Sequence, residues 1–475
     1  MPTNRLSALD ASFLYLEEPT TPMHVGNVVV LRRPRTGLDY DRLVASIEQR
    51  LALAPRYRQK VVQVPGRLAR PVWVDDPDFD VTYHVRRSAL PRPGRPEQLH
   101  ELVARLMSRP LDPARPLWEL YLVEGLARNR VAIVTKTHQA VVDGVTTPDI
   151  GQLVLDTTPT PRELPEDLWM PGPEPSPVRL VLDAVTEAVR QPGEVVENVR
   201  AAAIDAAATV RKVGNALGGL LTAVRAAASP APEGPLAVRG STQRRFAVAR
   251  TRLDHYRAVR RAHGGTVNDV VLTVVAGALR NWLLSRGEAV TSSATVRAMV
   301  PVSVRAPEDA AVAGSGRTGT VRVGNQVSAY LVDLPVGEPN PVVRLHHVSH
   351  AMRAHQESGR SVAASALVRL SGLAPPTLHQ LGARAANSFS RRLFNLVVTN
   401  VPGPQVPLYA AGARMVEMFP VMPLAKGQAL SIGVTSYDGG VYFGLNADRD
   451  GMSDVDVLAA MVEESLEELV GTVPA

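Results

Sequence analysis

The segment Val131-Ala-Ile-Val-Thr-Lys-Thr-His-Gln-Ala-Val-Val-Asp-Gly144 is the most informative part of the sequence. Most of its first seven residues are β-branched, which predicts a buried strand that ends at His138. Asp143 and Gly144 follow the histidine by five and six residues and precede a predicted helix over 146–155. By themselves, His138 and Asp143 fit two interpretations equally: a core histidine held by a carboxylate, or a site built where a strand ends.

The sequence around this segment predicts a first domain of mixed α and β structure. Stretches rich in Val, Tyr, Trp and Thr predict strands at 27–33, 71–86 and 119–137. Apolar residues at helical spacing predict helices at 39–53 and 96–108. A Pro-rich stretch over 158–177 then breaks the pattern, so we assign residues 1–170 to the first domain.

A linker and a helical crossover are predicted between the two halves of the chain, over 171–239. Residues 178–227 are rich in Ala and Val with charges at intervals, which predicts two or three helices. A membrane-surface helix is the alternative interpretation. Their mixed charge and their lack of Trp and Phe favour the crossover.

The second domain, over 240–475, repeats the mixture of helices and strands. Its clearest helix covers 266–285, where apolar residues recur at i, i+3 and i+4. The remaining predicted elements are strands at 294–305, 325–334 and 393–401, a hairpin at 428–447 with the turn Tyr437-Asp-Gly-Gly, and a helix at 453–469. The fold class is therefore mixed α/β in two domains.

Composition excludes several classes of protein. The chain has 475 residues, 45% hydrophobic and 21% charged, which is typical of a globular protein with two domains. The absence of cysteine excludes disulfides, thiolate metal sites and a cysteine-borne acyl-enzyme. A net charge of +6 permits phosphate-bearing partners such as CoA, but the 4% aromatic content and the lack of a block of like charges argue against nucleic acid.

The sequence carries no targeting signal that we recognise. The N-terminal residues lack the apolar core of a signal peptide, and no stretch of about 18 uncharged apolar residues predicts a transmembrane helix. We therefore expect a cytoplasmic protein that is at most peripheral to the inner face of a membrane.

Two other motifs are weak. Gly314-Ser-Gly-Arg-Thr-Gly319 fits the dinucleotide pattern, but strand-like sequence follows it where a helix is required, which favours a loop. His346 and His350 could face one metal ion, but no third ligand is evident, so a polar helix face is the better interpretation. The nucleophile elbow, the Walker A sequence and the H-E-x-x-H motif do not occur in the sequence.

The segment 138–144 resembles the H-H-x-x-x-D-G signature of the CoA-dependent acyltransferase superfamily, and the chain resembles its bacterial wax ester synthase/diacylglycerol acyltransferase family. Further family-like motifs occur in the family's order from residue 6 to beyond residue 400. They are Leu6-Ser-Ala-Leu-Asp-Ala-Ser-Phe-Leu14, Thr21-Pro-Met-His-Val25, Pro110-Leu-Asp-Pro-Ala-Arg-Pro-Leu-Trp-Glu119, Thr266-Val-Asn-Asp-Val270, Val300-Pro-Val-Ser-Val-Arg305 and Val398-Thr-Asn-Val-Pro-Gly-Pro404.

The resemblance implies two chloramphenicol-acetyltransferase-like domains joined by a helical crossover, with an active-site tunnel between them. Acyl-CoA, as the co-substrate, and a lipid alcohol would enter from opposite sides. In this family the second histidine of the motif takes the hydroxyl proton of the acceptor, while the aspartate, Asp143 here, is chiefly structural and is followed by Gly144. The resemblance implies no covalent acyl-enzyme, no metal and no bound cofactor.

The sequence departs from the family at the position of the second histidine, which is Gln139. A glutamine amide cannot accept a proton near neutral pH, and loss of a general base typically costs about 10² to 10⁴ in rate. His138 replaces it only if its side chain reaches the tunnel, although neighbouring side chains on a strand point to opposite faces. The leading prediction is an O-acyltransferase that forms triacylglycerol from diacylglycerol, or a wax ester from a fatty alcohol. The alternative is an impaired homologue that binds acyl-CoA or lipid as a scaffold or regulator.

The resemblance also places the residues of two motifs near the tunnel, where they would bind substrate. Asn268 and Asp269 match the N-D pair of the family, although polar residues in the first turn of a helix also serve as caps. Pro116-Leu117-Trp118 matches a motif beside the acyl channel, although Leu and Trp beside a strand are ordinary core residues. Both interpretations remain open for each motif. Contact with a membrane or lipid-droplet surface is a further expectation, and the oligomeric state stays open.

Overall fold

A computed structural model describes residues 4–34, 38–142, 149–162, 164, 167–190, 231–303, 327–358 and 393–474. Within these ranges the helices are α1 (Ala8–Leu16), α2 (Tyr40–Arg50), α3 (Val81–His84), α4 (Pro96–Ser108), α5 (Ile150–Leu153), α6 (Pro177–Arg190), α7 (Leu253–His263), α8 (Val267–Ser285), α9 (Pro341–Ser358) and α10 (Val455–Val470). The strands are β1 (His24–Arg32), β2 (Gln59–Val62), β3 (Val72–Asp75), β4 (Val85–Ala89), β5 (Trp118–Leu126), β6 (Arg130–His138), β7 (Leu155–Asp156), β8 (Arg244–Arg252), β9 (Val296–Ser303), β10 (Val327–Leu334), β11 (Leu396–Pro402), β12 (Tyr409–Ala410), β13 (Ala413–Val421), β14 (Leu430–Tyr437) and β15 (Gly440–Asp448).

The first sheet has seven strands in the order β4-β5-β6-β1-β13-β12-β7. The strand β6 lies inside this sheet, between β5 and β1. Its side chains alternate between two cores, because successive residues of a strand face opposite sides. Val131 and Ile133 join the core that contains residues of α2, while Ala132 and Val134 join the core against α4. The predicted strand that ends at His138 is thus present and buried on both faces.

The first sheet is completed by strands from the C-terminal half of the chain. β13 lies antiparallel to β1, with Asn27 opposite Pro420, and β12 connects it to β7. The division at residues 170 and 240 stays a prediction for the chain. The sheets do not follow this division, because residues 409–421 belong to the sheet of the N-terminal half.

The second sheet has six strands in the order β10-β9-β11-β14-β15-β8, and residues of α8, α9 and α10 share its core. α8 begins with a capping box, in which the Thr266 hydroxyl accepts from the Asp269 N–H at 3.1 Å and Asp269 Oδ2 accepts from the Thr266 N–H at 2.9 Å. Among the described helices, only α8 is long and apolar enough to span a membrane, but 72% of its apolar window is buried inside the protein. A core helix explains the same composition.

The two sheets touch at a pair of glycines. Gly433 of β14 and Gly444 of β15 are register partners, and Pro420 of β13 lies against both. A Cβ atom at Gly444 would lie 1.9 Å from the Pro420 carbonyl oxygen, which no rotamer can relieve because both groups are backbone-fixed. The absence of side chains at these two positions therefore allows β13 of one sheet to approach the other sheet.

The predicted elements of the second half agree closely with the structure. The helix predicted over 266–285 is α8, and the predicted hairpin is β14 and β15, with Asp438 and Gly439 at positive φ in the turn. The prediction of one strand over 71–86 is wrong, because Asp80 caps the short helix α3 between β3 and β4. α6 accounts for the first part of the helical crossover. Residues 191–230 and the loop 314–319 lie outside the described residues.

Candidate functional site

A cavity of about 1150 Å³ lies between the two sheets, beside the glycine contact. Its wall is formed by β1, β11, β13, β14, the first turn of α8, α9 and the segment around α5. Most of the lining side chains are apolar and several are neutral amides. The lining residues include Val25, Asn27, Val142, Asp149, Asn268, Asp269, Tyr330, Met352, Gln356, Asn400, Met418, Pro420 and Met422.

His138 ends β6 and lies opposite His24 of β1, with their ring centroids 6.3 Å apart. Its Nδ1 accepts a hydrogen bond from the Ala140 N–H at 3.0 Å. Because Nδ1 accepts this bond, a ring proton is on Nε2, which lies 3.5 Å from Glu17 Oε2. Because one nitrogen is used by a backbone N–H and the other carries the proton, His138 is not free to take a proton from a substrate.

Glu17 is held between His138 and His24, whose Nε2 lies 3.3 Å from Glu17 Oε1. Burial raises the pKa of Glu17, but the interactions with the two histidines outweigh it, so the pKa lies well below its usual range. Burial lowers the pKa of His24 to about 4, against the opposing effect of Glu17. The cluster is therefore an ionised carboxylate beside a neutral His24, which fixes the turn that follows β6.

Gln139 follows β6, and its backbone N–H donates to the Met23 carbonyl at 2.9 Å. Its partly buried side chain is not among the residues that line the cavity, although Val142, three residues later, is. Asp143 and Gly144 lie outside the described residues. The structure thus brings Val142 of the motif to the cavity and places His138 in the cluster with Glu17.

Asn268 and Asp269 lie in the cavity wall, where the resemblance predicts them. The Asn400 amide donates to Asn268 Oδ1 at 3.0 Å, which joins the first turn of α8 to β11 across the wall. Asp269 also forms the capping box with Thr266. Asp269 therefore caps α8, as the second interpretation expects, and it also lies in the wall of the cavity.

Pro116, Leu117 and Trp118 lie in the core of the first sheet and are not among the cavity-lining residues. Trp118 has no exposed surface, its indole N–H donates to the Tyr57 carbonyl at 2.7 Å, and its ring stacks on His84 at 4.6 Å. Leu117 contributes its carbonyl to the His138 N–H at 3.0 Å. These contacts are those of the core interpretation, and a role in substrate binding stays a prediction.

Asp149 and Asn27 are cavity residues that the sequence did not single out. Asp149 caps α5 by accepting from the Gly151 N–H at 2.6 Å, and the Asn27 side chain is hydrogen-bonded to it. Burial raises the pKa of Asp149, although both hydrogen bonds oppose the shift. Asp149 lies inside the helix predicted over 146–155, whereas α5 begins after it at Ile150, so the sequence did not mark it as a cap.

No group of three or more His, Asp or Glu side chains that could hold a metal ion occurs in the described ranges. His346 and His350 both lie on α9, which was predicted as a polar helix face. The described residues of the cavity wall include neutral amides and two carboxylates, those of Asp149 and Asp269, and no imidazole.

Comparisons with known proteins agree with this geometry. The wax ester synthase/diacylglycerol acyltransferase catalytic domain matches residues 6–271, and the C-terminal domain of that family matches residues 323–470. A Mycobacterium tuberculosis protein named probable diacylglycerol O-acyltransferase tgs3 is 52% identical over 271 residues, covering 54% of this chain and 95% of that protein. A second, named tgs1, is 32% identical over 471 residues, covering 98% of this chain and 96% of that protein.

The solved structure of a wax ester synthase/diacylglycerol acyltransferase from Marinobacter aquaeolei has a similar fold. It is 28% identical in sequence, covers 98% of each chain and superposes with a TM-score of 0.67. The mixed α/β architecture predicted from the sequence is therefore confirmed. The names of these relatives support acyl transfer and give no support to the impaired-scaffold alternative.

Proposed function

The chain belongs to the wax ester synthase/diacylglycerol acyltransferase family, and we propose that it transfers a long acyl chain from acyl-CoA to the hydroxyl of diacylglycerol. The product is triacylglycerol. A fatty alcohol, which gives a wax ester, is the second acceptor that the family admits. No metal or bound cofactor is needed, because the thioester of the co-substrate supplies the activated acyl group.

The cavity between the sheets is the observation that carries the proposal. Its volume of about 1150 Å³ exceeds the roughly 300–1,000 Å³ that is typical of small-molecule pockets, so it has room for more than one lipid chain. Val25, Met418 and Met422 give it apolar walls for acyl chains. The amides of Asn27 and Asn268 offer hydrogen bonds to an ester or hydroxyl group. Holding the thioester and the hydroxyl together in this space would supply a large part of the rate acceleration, because the two groups no longer have to meet by diffusion.

The experiment that tests the proposal measures turnover of labelled palmitoyl-CoA with diacylglycerol and, separately, with hexadecanol. We expect labelled triacylglycerol from the native protein, with a wax ester as the slower or equal product. Absence of both products at saturating substrate would contradict the proposal. Binding of palmitoyl-CoA without turnover would instead favour the scaffold.

A variant at the cavity wall links the activity to this cavity. Gln356 and Met352 lie one turn apart on α9, and both line it. Gln356→Trp should lower kcat/KM for palmitoyl-CoA about tenfold, because the indole occupies space that the chain needs. Glu357→Trp, at the next position of the same helix, is the matched control and should leave turnover unchanged, because Glu357 is not among the residues that line the cavity. Equal turnover in both variants would separate the activity from this cavity.

We also propose that the protein acts at the surface of a membrane or lipid droplet, on the cytoplasmic side. Five large apolar side chains are exposed within and just before α6. They are Leu168, Met170, Val178, Leu182 and Val185, with exposed fractions from 51% to 83%. Leu180 and Ala184 of the same helix pack against the protein. An exposed apolar patch is typical of a surface that contacts a membrane or a partner.

Co-sedimentation with vesicles that contain diacylglycerol tests this contact. Leu182→Glu together with Val185→Glu should reduce the bound fraction at least several-fold, because charged groups resist transfer into the interface. Leu284→Glu places one such charge at an exposed leucine at the end of α8 and should bind vesicles like the native protein. Equal binding by all three proteins would exclude α6 as the contact.

A further inference from the structure

Acyl transfer to a hydroxyl requires a group that takes the hydroxyl proton, and the position that supplies it in the family is Gln139. The Gln139 amide cannot accept this proton near neutral pH. His138 is held by the Ala140 N–H and Glu17, so it cannot replace the missing base. The proton acceptor must therefore be sought among the other residues at the cavity.

Three ionisable side chains are among the described residues of the cavity wall: Asp149, Asp269 and Tyr330. Tyr330 is a phenol, which acts as a donor rather than a base at neutral pH. Asp269 is 4% exposed, and its Oδ2 accepts from the Thr266 N–H in the capping box of α8. Asp149 is the carboxylate of the described wall that lies nearest the motif in the chain, seven residues after Val142.

Asp149 lies on the same wall as Asn27. The backbone N–H of Asn27 donates to the Thr135 hydroxyl at 2.9 Å, which fixes β1 against β6 at this point. The Asn27 side chain and the Gly151 N–H occupy two of the roughly four acceptor positions of the carboxylate. The positions that remain are available to a hydroxyl group in the cavity.

The surroundings of Asp149 suit a base that works near neutral pH. Asp149 is partly buried, and this burial raises the pKa of its carboxyl. The described groups that act on it, Asn27 and Gly151, are uncharged, so neither an ion pair nor a like charge sets its protonation. A carboxylate with a raised pKa takes up a proton more readily than an exposed one.

We propose that Asp149 is the general base of this protein, in the role that the second histidine of the motif has in the family. This inference rests on the proposed function. The proton of the acceptor hydroxyl moves to the Asp149 carboxylate as the hydroxyl oxygen forms a bond to the thioester carbonyl carbon. The C–S bond then breaks, the thiolate of CoA takes the proton from the Asp149 carboxyl, and the ester and free CoA leave.

The test combines Asp149→Asn with Gln139→His in a double-mutant cycle on the full chain. Asparagine caps a helix about as well as aspartate, so the Gly151 N–H keeps its partner. Asp149→Asn should lower kcat about 10² to 10⁴-fold with little change in KM, because the base is lost while binding is kept. In the Gln139→His background the same substitution should lower kcat about tenfold or less, because an imidazole again takes the proton of the acceptor hydroxyl.

Asp80→Asn is the matched control, because Asp80 is the exposed N-cap of another four-residue helix, α3, and accepts from the Thr82 N–H at 2.8 Å. Its turnover should equal that of the native protein. Asp149→Ser, which also keeps a capping oxygen, should lose as much turnover as Asp149→Asn and covers the case in which the asparagine variant does not fold.

The outcomes separate this inference from the proposed function. Native turnover that survives Asp149→Asn would overturn the role of Asp149 and leave acyl transfer intact. An equal loss in both backgrounds would show that Asp149 only holds the structure, which also overturns it. A native protein without turnover would overturn the proposed function and the base together.

Discussion

The free energy of unfolding should fall by several kcal/mol when the pH is lowered from 6.5 to 4. Burial lowers the pKa of His24, His84 and His100 to about 4, whereas an unfolded histidine titrates near 6.5. Between these values the unfolded chain binds more protons than the folded chain, so acidification favours unfolding. Each histidine contributes about 3 kcal/mol of stability that is present above pH 6.5 and lost towards pH 4.

Two carboxyls modify this dependence in opposite directions. The pKa of Glu17 is lowered, so its protonation at still lower pH costs further stability. The pKa of Asp149 is raised, so its protonation opposes the loss. The change in stability between pH 6.5 and 4 stays dominated by the three histidines, because all three shifts have the same direction. His24 and His84 lie in the core with 1% of their surface exposed.

Urea denaturation at steps of pH measures the effect. His84→Leu removes one of the three titrating rings and should reduce the slope of the unfolding free energy against pH by about a third, whatever its effect at pH 7. His346→Leu, at an exposed position of α9, should leave the slope as it is. A free energy that stays level from pH 6.5 to 4 would contradict neutral, buried histidines.

Trp118→Ala should lower the free energy of unfolding by about 3 to 5 kcal/mol, because it leaves a large cavity in the core. The indole has no exposed surface, and the substitution also removes the partner of the Tyr57 carbonyl and the ring that stacks on His84. The shift of the urea midpoint measures this loss.

The same variant decides between the two interpretations of the Pro116-Leu117-Trp118 motif. The core interpretation predicts a stability loss with an unchanged KM for palmitoyl-CoA at temperatures where the variant is folded. Trp169→Ala, which removes a partly exposed indole, is the control and should lower the free energy of unfolding by less than Trp118→Ala does. Unchanged stability with a raised KM would establish the acyl-channel interpretation instead.

The sequence was most reliable where one residue pattern decided the structure. The spacing of apolar residues in α8 and the turn at Asp438 and Gly439 each specify a local conformation, and both were predicted. The strand that ends at His138 was predicted from its β-branched residues. The family motifs then supplied what local patterns cannot, namely that two distant segments, around Val142 and Asn268, meet at one cavity.

The remainder depended on contacts between distant parts of the chain. β13 was missed, although its alternating buried residues Met415, Phe419 and Val421 are a strand pattern, and nothing local indicates that it pairs with β1. Asp149 was missed as a cavity residue because a capping aspartate looks the same at any helix. Only the fold shows that this one shares a wall with Asn27.

The insertion of β13 between β1 and β12 has a consequence for how the protein is made. A ribosome that has released the first 240 residues has released β1 with one edge still unpaired, since its neighbour begins at Ala413. The first sheet therefore cannot be completed until almost the whole chain has been synthesised. Until then the N-terminal half has an unpaired strand edge at β1, which favours aggregation. Synthesis, rather than the finished fold, is the stage at which this protein is most vulnerable.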